Sequence, residues 1–305
     1  MPPMIRLLRR LLYCGEWIES HLLHVYMLHA PDFLTCEDAV QMSKKNPGLL
    51  ERGLRMKKAG NVIVQIVGGR EIHPINVKVG GFFKWPDRSK LFSLIEELKW
   101  AREAALETVR WTSQFHFPDS KLQYEFVSLK HSSEYPMNEG QLVSNQGLAI
   151  DVADFEKHFQ EFQVEHSNAL HSQRIGGSNY LVGPMARWNL NFDLLSPLVK
   201  QTAQDIGLTK TESNPFKSIL VRSLEVLYAF DEALRIISLY SPEGDSGVKY
   251  EYQNSVGWAA TEAPRGLLYH RYEVDSDGKI KTAKIVPPTS QNQWTIEKDL
   301  SQFVK

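Results

Sequence analysis

Cysteine is nearly missing from this chain: Cys14 and Cys36 are the only two in 305 residues. Their spacing excludes a disulfide framework and any cysteine-based zinc motif. An excess of one charge is missing too, because 35 lysines and arginines face 36 aspartates and glutamates, for a formal net charge of −1. That balance offers no electrostatic reason to bind nucleic acid or an anionic membrane. No apolar run approaches the roughly 18 residues that a membrane span requires. The first residues, Met1 to Cys14, are basic and then briefly apolar, and stop at Gly15-Glu16 without a small-residue cleavage site. They do not read as a signal peptide, so the expected compartment is the cytoplasm. Internal repeats and low-complexity segments are absent as well.

What is present is ordinary globular composition, 42% apolar and 23% charged, with enough chain for a sizeable core. Met4 to Ala30 reads as one long helix, with Leu7, Leu11, Cys14, Ile18, Leu22, Val25 and His29 on one face and Pro31 ending it. His21 and His24 on that helix have the spacing of a metal pair, but read first as hydrogen-bonded helix histidines. Asp38 to Val67 gives two helical pieces broken at Asn46-Pro47-Gly48. Ser89 to Ser113 is a further amphipathic helix. Leu122 to Lys130 and Gln141 to Ile150 read as strands, and Asp154 to Val164 as helix. Gly176 to Asn191 is loop-rich, while Leu194 to Ile206 and Lys217 to Tyr240 are helical. The expected fold is mainly α (α+β), a core of long helices with a few short strands, in a single domain spanning 1–305.

The most structured stretch runs from Thr261 to Asn292. Pro264-Arg265-Gly266 enters an alternating segment, Leu267 to Val274, and a turn at Asp275 to Gly278 leads to a second one, Lys279 to Val286. Asp-Gly between two such runs is a strong hairpin signal. The hairpin would set Pro264-Arg265-Gly266 beside Pro287-Pro288-Thr289, a cation and a hydroxyl at one sheet end. A last helix is expected from near Asn292.

Several segments, in order, resemble the large subunit of [NiFe] hydrogenases. They are Ser20 to Tyr26 with Pro31-Asp32, Gly69-Arg70-Glu71-Ile72-His73-Pro74 with Gly80-Gly81, Tyr180 to Asn189, and Glu262-Ala263-Pro264-Arg265-Gly266 with the hairpin and Pro287 to Asn292. The wording is most similar to the cytoplasmic, NAD(P)-linked group. The resemblance implies reversible H2 oxidation at a nickel–iron centre with diatomic ligands, and electrons passed to an iron–sulfur small subunit and on to NAD(P)-reducing subunits. It implies Arg265 and Asp32 as catalytic residues, the arginine over the open side of the metals and the aspartate paired with it. Pro264 and Thr289 would line the pocket of the diatomic ligands, and Ile285 would offer a backbone carbonyl to a structural metal ion.

One departure stands against this set. The family holds its centre with four cysteines in two pairs, and neither pair occurs here. Trp17 stands where a pair begun at Cys14-Gly15 would need its second cysteine, and Cys14 reads as a core-facing helix residue. The chain is therefore expected to be a hydrogenase fragment, incomplete at both ends and inactive as it stands, since nickel of this kind needs soft thiolates. A metal-free docking subunit, related to the quinone-side subunit of complex I, is the alternative.

Overall fold

The apolar stripe at the start of the sequence becomes α1 (Pro3–Leu23), which begins on prolines suited to a first helical turn and buries Ile5, Leu8, Leu11, Cys14, Ile18 and Leu22. The computed structural model describes residues 1–120 and 122–304. Pro31 does not end this helix. A π-helical turn, His24–His29, carries the chain into α2 (Ala30–Phe33), with the Ala30 N–H bonded to the Val25 carbonyl five residues back. A regular helix would drive the Pro31 ring into the Met27 carbonyl; the wider turn relieves that clash.

Next come α3 (Ala39–Lys45), capped by the Asp38 carboxylate accepting from the Gln41 N–H at 2.7 Å, and α4 (Pro47–Gly68), which ends at left-handed Gly69. Helices α1 and α4 cross at Gly15 and Gly60, where a Cβ on either glycine would lie 3.0 or 2.9 Å from the other's carbonyl. The short strands β1 (Val77–Lys78) and β2 (Gly81–Phe82) pair, and α5 (Arg88–Ser93) and α6 (Ile95–Thr112) follow.

A three-stranded antiparallel sheet is formed by β3 (Val127–Lys130), β4 (Gln141–Ser144) and β5 (Ala149–Ile150), so the expected run Gln141 to Ile150 is two strands and a turn. The helix expected over Asp154 to Val164 shrinks to α7 (Phe155–His158), and the rest is β6 (Phe159–Val164), paired with β7 (Ser167–Arg174). Part of the expected loop 176–191 is helical, α8 (Pro184–Asn191). The helices α9 (Pro197–Asp205) and α10 (Ser218–Ser238) lie where expected. The final sheet has three strands, β8 (Ser255–Ala263), β9 (Gly266–Val274) and β10 (Ile280–Val286), so the expected hairpin is its second half. The last helix, α11 (Pro288–Phe303), starts four residues earlier than expected, at Pro288 instead of Asn292.

The chain divides into two compact units: Met1–Asp119 with Ser196–Thr209 and Phe216–Tyr250, and Ser120–Leu195 with Lys210–Pro215 and Glu251–Lys305. The first is mainly helical, and α10 packs on α1 and α6. It buries charge between helices. Arg10 donates to Glu232 Oε1 and to the Tyr228 hydroxyl, each at 2.6 Å, and Arg235 donates to both Glu232 oxygens at 2.6 and 2.8 Å. Burial alone would raise the Glu232 carboxyl, but hydrogen bonds and charge from Arg235 and Arg10 outweigh it and hold it low. His21 meets Glu225 at 2.9 Å, both buried. The core of the second unit gathers Val127, Leu129, Leu142, Phe155, Tyr180 and Leu267 from its sheets and loops.

Candidate functional site

The register of the last sheet sets the site. Ala263 pairs with Gly266, so Pro264 and Arg265 form a two-residue turn between β8 and β9. Strand β10 returns beside β9 until Val286 faces Tyr269. Pro287 to Thr289 therefore arrives at the sheet end that carries the Pro264-Arg265 turn, the juxtaposition expected of the hairpin.

Glycines let a second segment press against this turn. A Cβ on Gly183 would stand 2.5 Å from the Arg265 carbonyl, and one on Gly266 would stand 2.8 Å from the Gly183 nitrogen. Both also have positive φ, +108° and +140°, so a side chain is excluded by space and by conformation.

Arg187, in the first half of α8 just after Gly183-Pro184, is fully buried behind the turn. Its guanidinium donates to Glu262 Oε2 at 3.0 Å, to the Ala263 carbonyl at 2.9 Å and to the Pro264 carbonyl at 3.0 Å. The other Glu262 oxygen accepts the Leu129 N–H at 2.7 Å. The planar donor fork thus neutralises a buried carboxylate and satisfies carbonyls at the turn. From α11, the Asn292 carboxamide accepts the Val182 N–H at 2.8 Å and donates to the Val182 carbonyl at 3.2 Å. Buried Gln291 donates to the Leu267 carbonyl at 2.6 Å and accepts from the Tyr180 hydroxyl at 3.3 Å. The backbone of the turn is held on both sides, and Arg265 itself is exposed, with no side-chain hydrogen bond or ion pair among the described residues of its unit.

The other expected residues fall as follows. Pro264 is half-buried in the turn. Thr289 lies in the first turn of α11 and not in a loop, and its side chain is exposed, whereas its neighbour Ser290 is buried and donates to Glu161 at 3.0 Å. Ile285 is 49% exposed on β10, opposite His270. Asp32 is exposed on α2, in the other unit. One turn before it, His29 has a buried Nδ1 without a hydrogen-bond partner inside its unit. Burial and the Arg222 charge push its imidazole down to about 4, against an opposing pull from Asp32. Sequence reasoning gave Glu262 and Gln291 no role. A glutamate two residues before the Pro-Arg turn was the available signal.

A nickel–iron centre of the kind the resemblance implies needs soft thiolate donors. Cys14 is wholly buried in α1, where burial and the nearby Glu232 push its thiol far up. Cys36 is buried after α2 and donates to the Leu34 carbonyl. The described clusters of possible metal ligands are built from histidine and glutamate alone. This donor set does not fit the centre.

The second unit is therefore a scaffold that braces the turn carrying exposed Arg265, in a mainly helical α+β chain. Comparison with known proteins gives that scaffold relatives. No protein-family model matches the chain. Sulfhydrogenase 1 subunit alpha of Pyrococcus furiosus is 29% identical over 306 residues, 99% of this chain and 71% of the relative. The beta subunit of the NAD-reducing hydrogenase HoxS of Cupriavidus necator is 23% identical over 332 residues, covering 97% and 68%. The solved structure of an NAD+-reducing [NiFe]-hydrogenase in its H2-reduced state superposes with a TM-score of 0.85 at 21% identity, over 98% of this chain and 72% of that one. The homologues of this chain are hydrogenase alpha, or large, subunits, and its fold is theirs.

Proposed function

We propose that this chain is the large-subunit scaffold of a cytoplasmic hydrogenase that interconverts H2 with protons and electrons. It would pass those electrons to an iron–sulfur small subunit and on to NAD(P)-reducing subunits. The observation that carries this reading is the braced Pro264-Arg265 turn. Arg187, Glu262, Gly183, Gly266 and Asn292 all lie in segments that resemble the family; the first four pack on or brace that turn, and Asn292 holds Val182, next to Gly183.

In this reading Arg265 is the cation that the braced turn presents to developing charge, and Pro264 and Thr289 belong to the same unit. No helix among the described residues is long and apolar enough to cross a membrane.

The missing thiolates favour a second reading, a metal-free docking subunit with the same fold. Nickel and iron analysis of the purified chain, with H2-dependent dye reduction, separates the two. Stoichiometric nickel with dye reduction would show that these residues suffice for the chemistry. A metal-free chain that still copurifies with an iron–sulfur small subunit would support docking. A metal-free chain that binds no such subunit would overturn both readings for these 305 residues.

A further inference from the structure

Away from the Pro264-Arg265 turn, three metal-competent side chains of the second unit converge. His166 occupies the two-residue turn between β6 and β7, where Val164 pairs with Ser167. His171 lies on β7, and Glu297 reaches them from α11, which packs against that strand. His171 Nε2 is 2.9 Å from Glu297 Oε1, and His166 Nε2 is 3.2 Å from both Glu297 oxygens. One ligand atom from each of the three lies within 4.8 Å of the other two.

The surroundings orient these groups. His171 is 1% exposed, and its Nδ1 stands 3.1 Å from the Ala169 carbonyl, which fixes a proton on that nitrogen. Its Nε2 then faces the carboxylate either as the second N–H of an imidazolium or as a lone pair on a cation. A backbone carbonyl behind Nδ1 is a common partner of metal-ligating histidines. The Phe162 ring packs against both His171 and Trp294, and Gln293 donates to Glu297 Oε1 at 3.3 Å. His166 is 66% exposed, which leaves a route for an ion and room for water as a further ligand.

We infer that His166, His171 and Glu297 form a binding site for a divalent ion of the zinc class. Two imidazoles and one carboxylate suit zinc and its neighbours, whereas magnesium and calcium favour all-oxygen sites. Donors about 2.1 Å from a tetrahedral zinc lie about 3.4 Å apart. The 2.9 and 3.2 Å separations need to open by only a few tenths of an ångström. Such an ion would clamp the β6–β7 hairpin to α11 whether or not the Arg265 turn serves hydrogen chemistry.

The test is calorimetric titration of the metal-stripped chain with Zn2+, and separately with Mg2+. Zn2+ binds at a single high-affinity site and raises the melting temperature, and Mg2+ does neither. H166Q changes only an exposed turn residue and so keeps the fold; it weakens Zn2+ binding about 100-fold, the upper end of what even outer-shell changes cost, and E297Q does the same. Unchanged Zn2+ affinity in both variants overturns the site. So does loss of binding in H131Q instead, which would place the ion among His131, Glu134 and Glu139.

Discussion

Arg10 in the first unit and Arg187 in the second are both fully buried, and each faces a glutamate. They use their donors differently. Arg10 joins side chains across helices, Glu232 and Tyr228 on α10, and Arg235 shares the same carboxylate. Arg187 spends its donors on one carboxylate and on two carbonyls at a turn of its own unit. The first arrangement holds helices together. The second holds a loop in one conformation, and the residue at its tip is the one left unpaired. A buried charge that serves the backbone therefore marks a place where geometry is kept for another purpose.

The sharpest way to break this comparison is to remove each arginine in turn. Arg187→Met leaves Glu262 buried without its cation and frees the turn carbonyls, and it should cost about 3–5 kcal/mol in chemical denaturation. Arg187→Lys should recover only part of that loss, since a point charge cannot replace the fork. Arg10→Met should cost about 1.5–3 kcal/mol, because Glu232 keeps Arg235 as a partner. Equal losses would erase the distinction.

A smaller effect belongs to the first unit alone. Burial, with the Glu19 charge, raises the Glu16 carboxyl to about 7. Protonated Glu16 favours the folded state, so its contribution is complete below about pH 4.5 and is lost as pH rises through about 7. His29, held neutral, works the other way. Its contribution is complete above about 6.5 and is lost as pH falls towards about 4. Glu16→Gln should add about 1–2 kcal/mol at pH 8, after allowance for partial exposure, and should leave a stability that rises with pH between about 4 and 6.5. Denaturation curves across that range check both points.

Local chemistry made some of this legible and distance hid the rest. Asp277-Gly278 announced the β9–β10 turn, Asp38 marked the start of α3, and Asn46-Pro47-Gly48 marked the break before α4. Strand β8 escaped because Gly257, Ala259 and Ala260 blur its alternation. Phe155, Phe159 and Phe162 have helical spacing, but pairing with β7 decides the conformation from Phe159 onward. Gly183-Pro184 was read as loop although proline suits a first helical turn. The candidate turn was legible as a motif. The pairing behind it was not, because Arg187 and Glu262 are 75 positions apart and no periodicity connects them. The histidine–glutamate cluster likewise depends on α11 folding back over β7.

The π turn at His24–His29 carries information of a different kind. It fits one residue more into the turn than a regular helix would, and that width is what makes room for the Pro31 ring. The room for Pro31 is thus written in the number of residues before it as well as in their identity. Deleting any one of the six would close the turn to regular pitch and set the proline ring against the carbonyl four residues before it, with the codon of Pro31 untouched. Substitution scans would single out only its buried residues, Val25 and Tyr26. A deletion scan would find it among the least forgiving stretches of the chain.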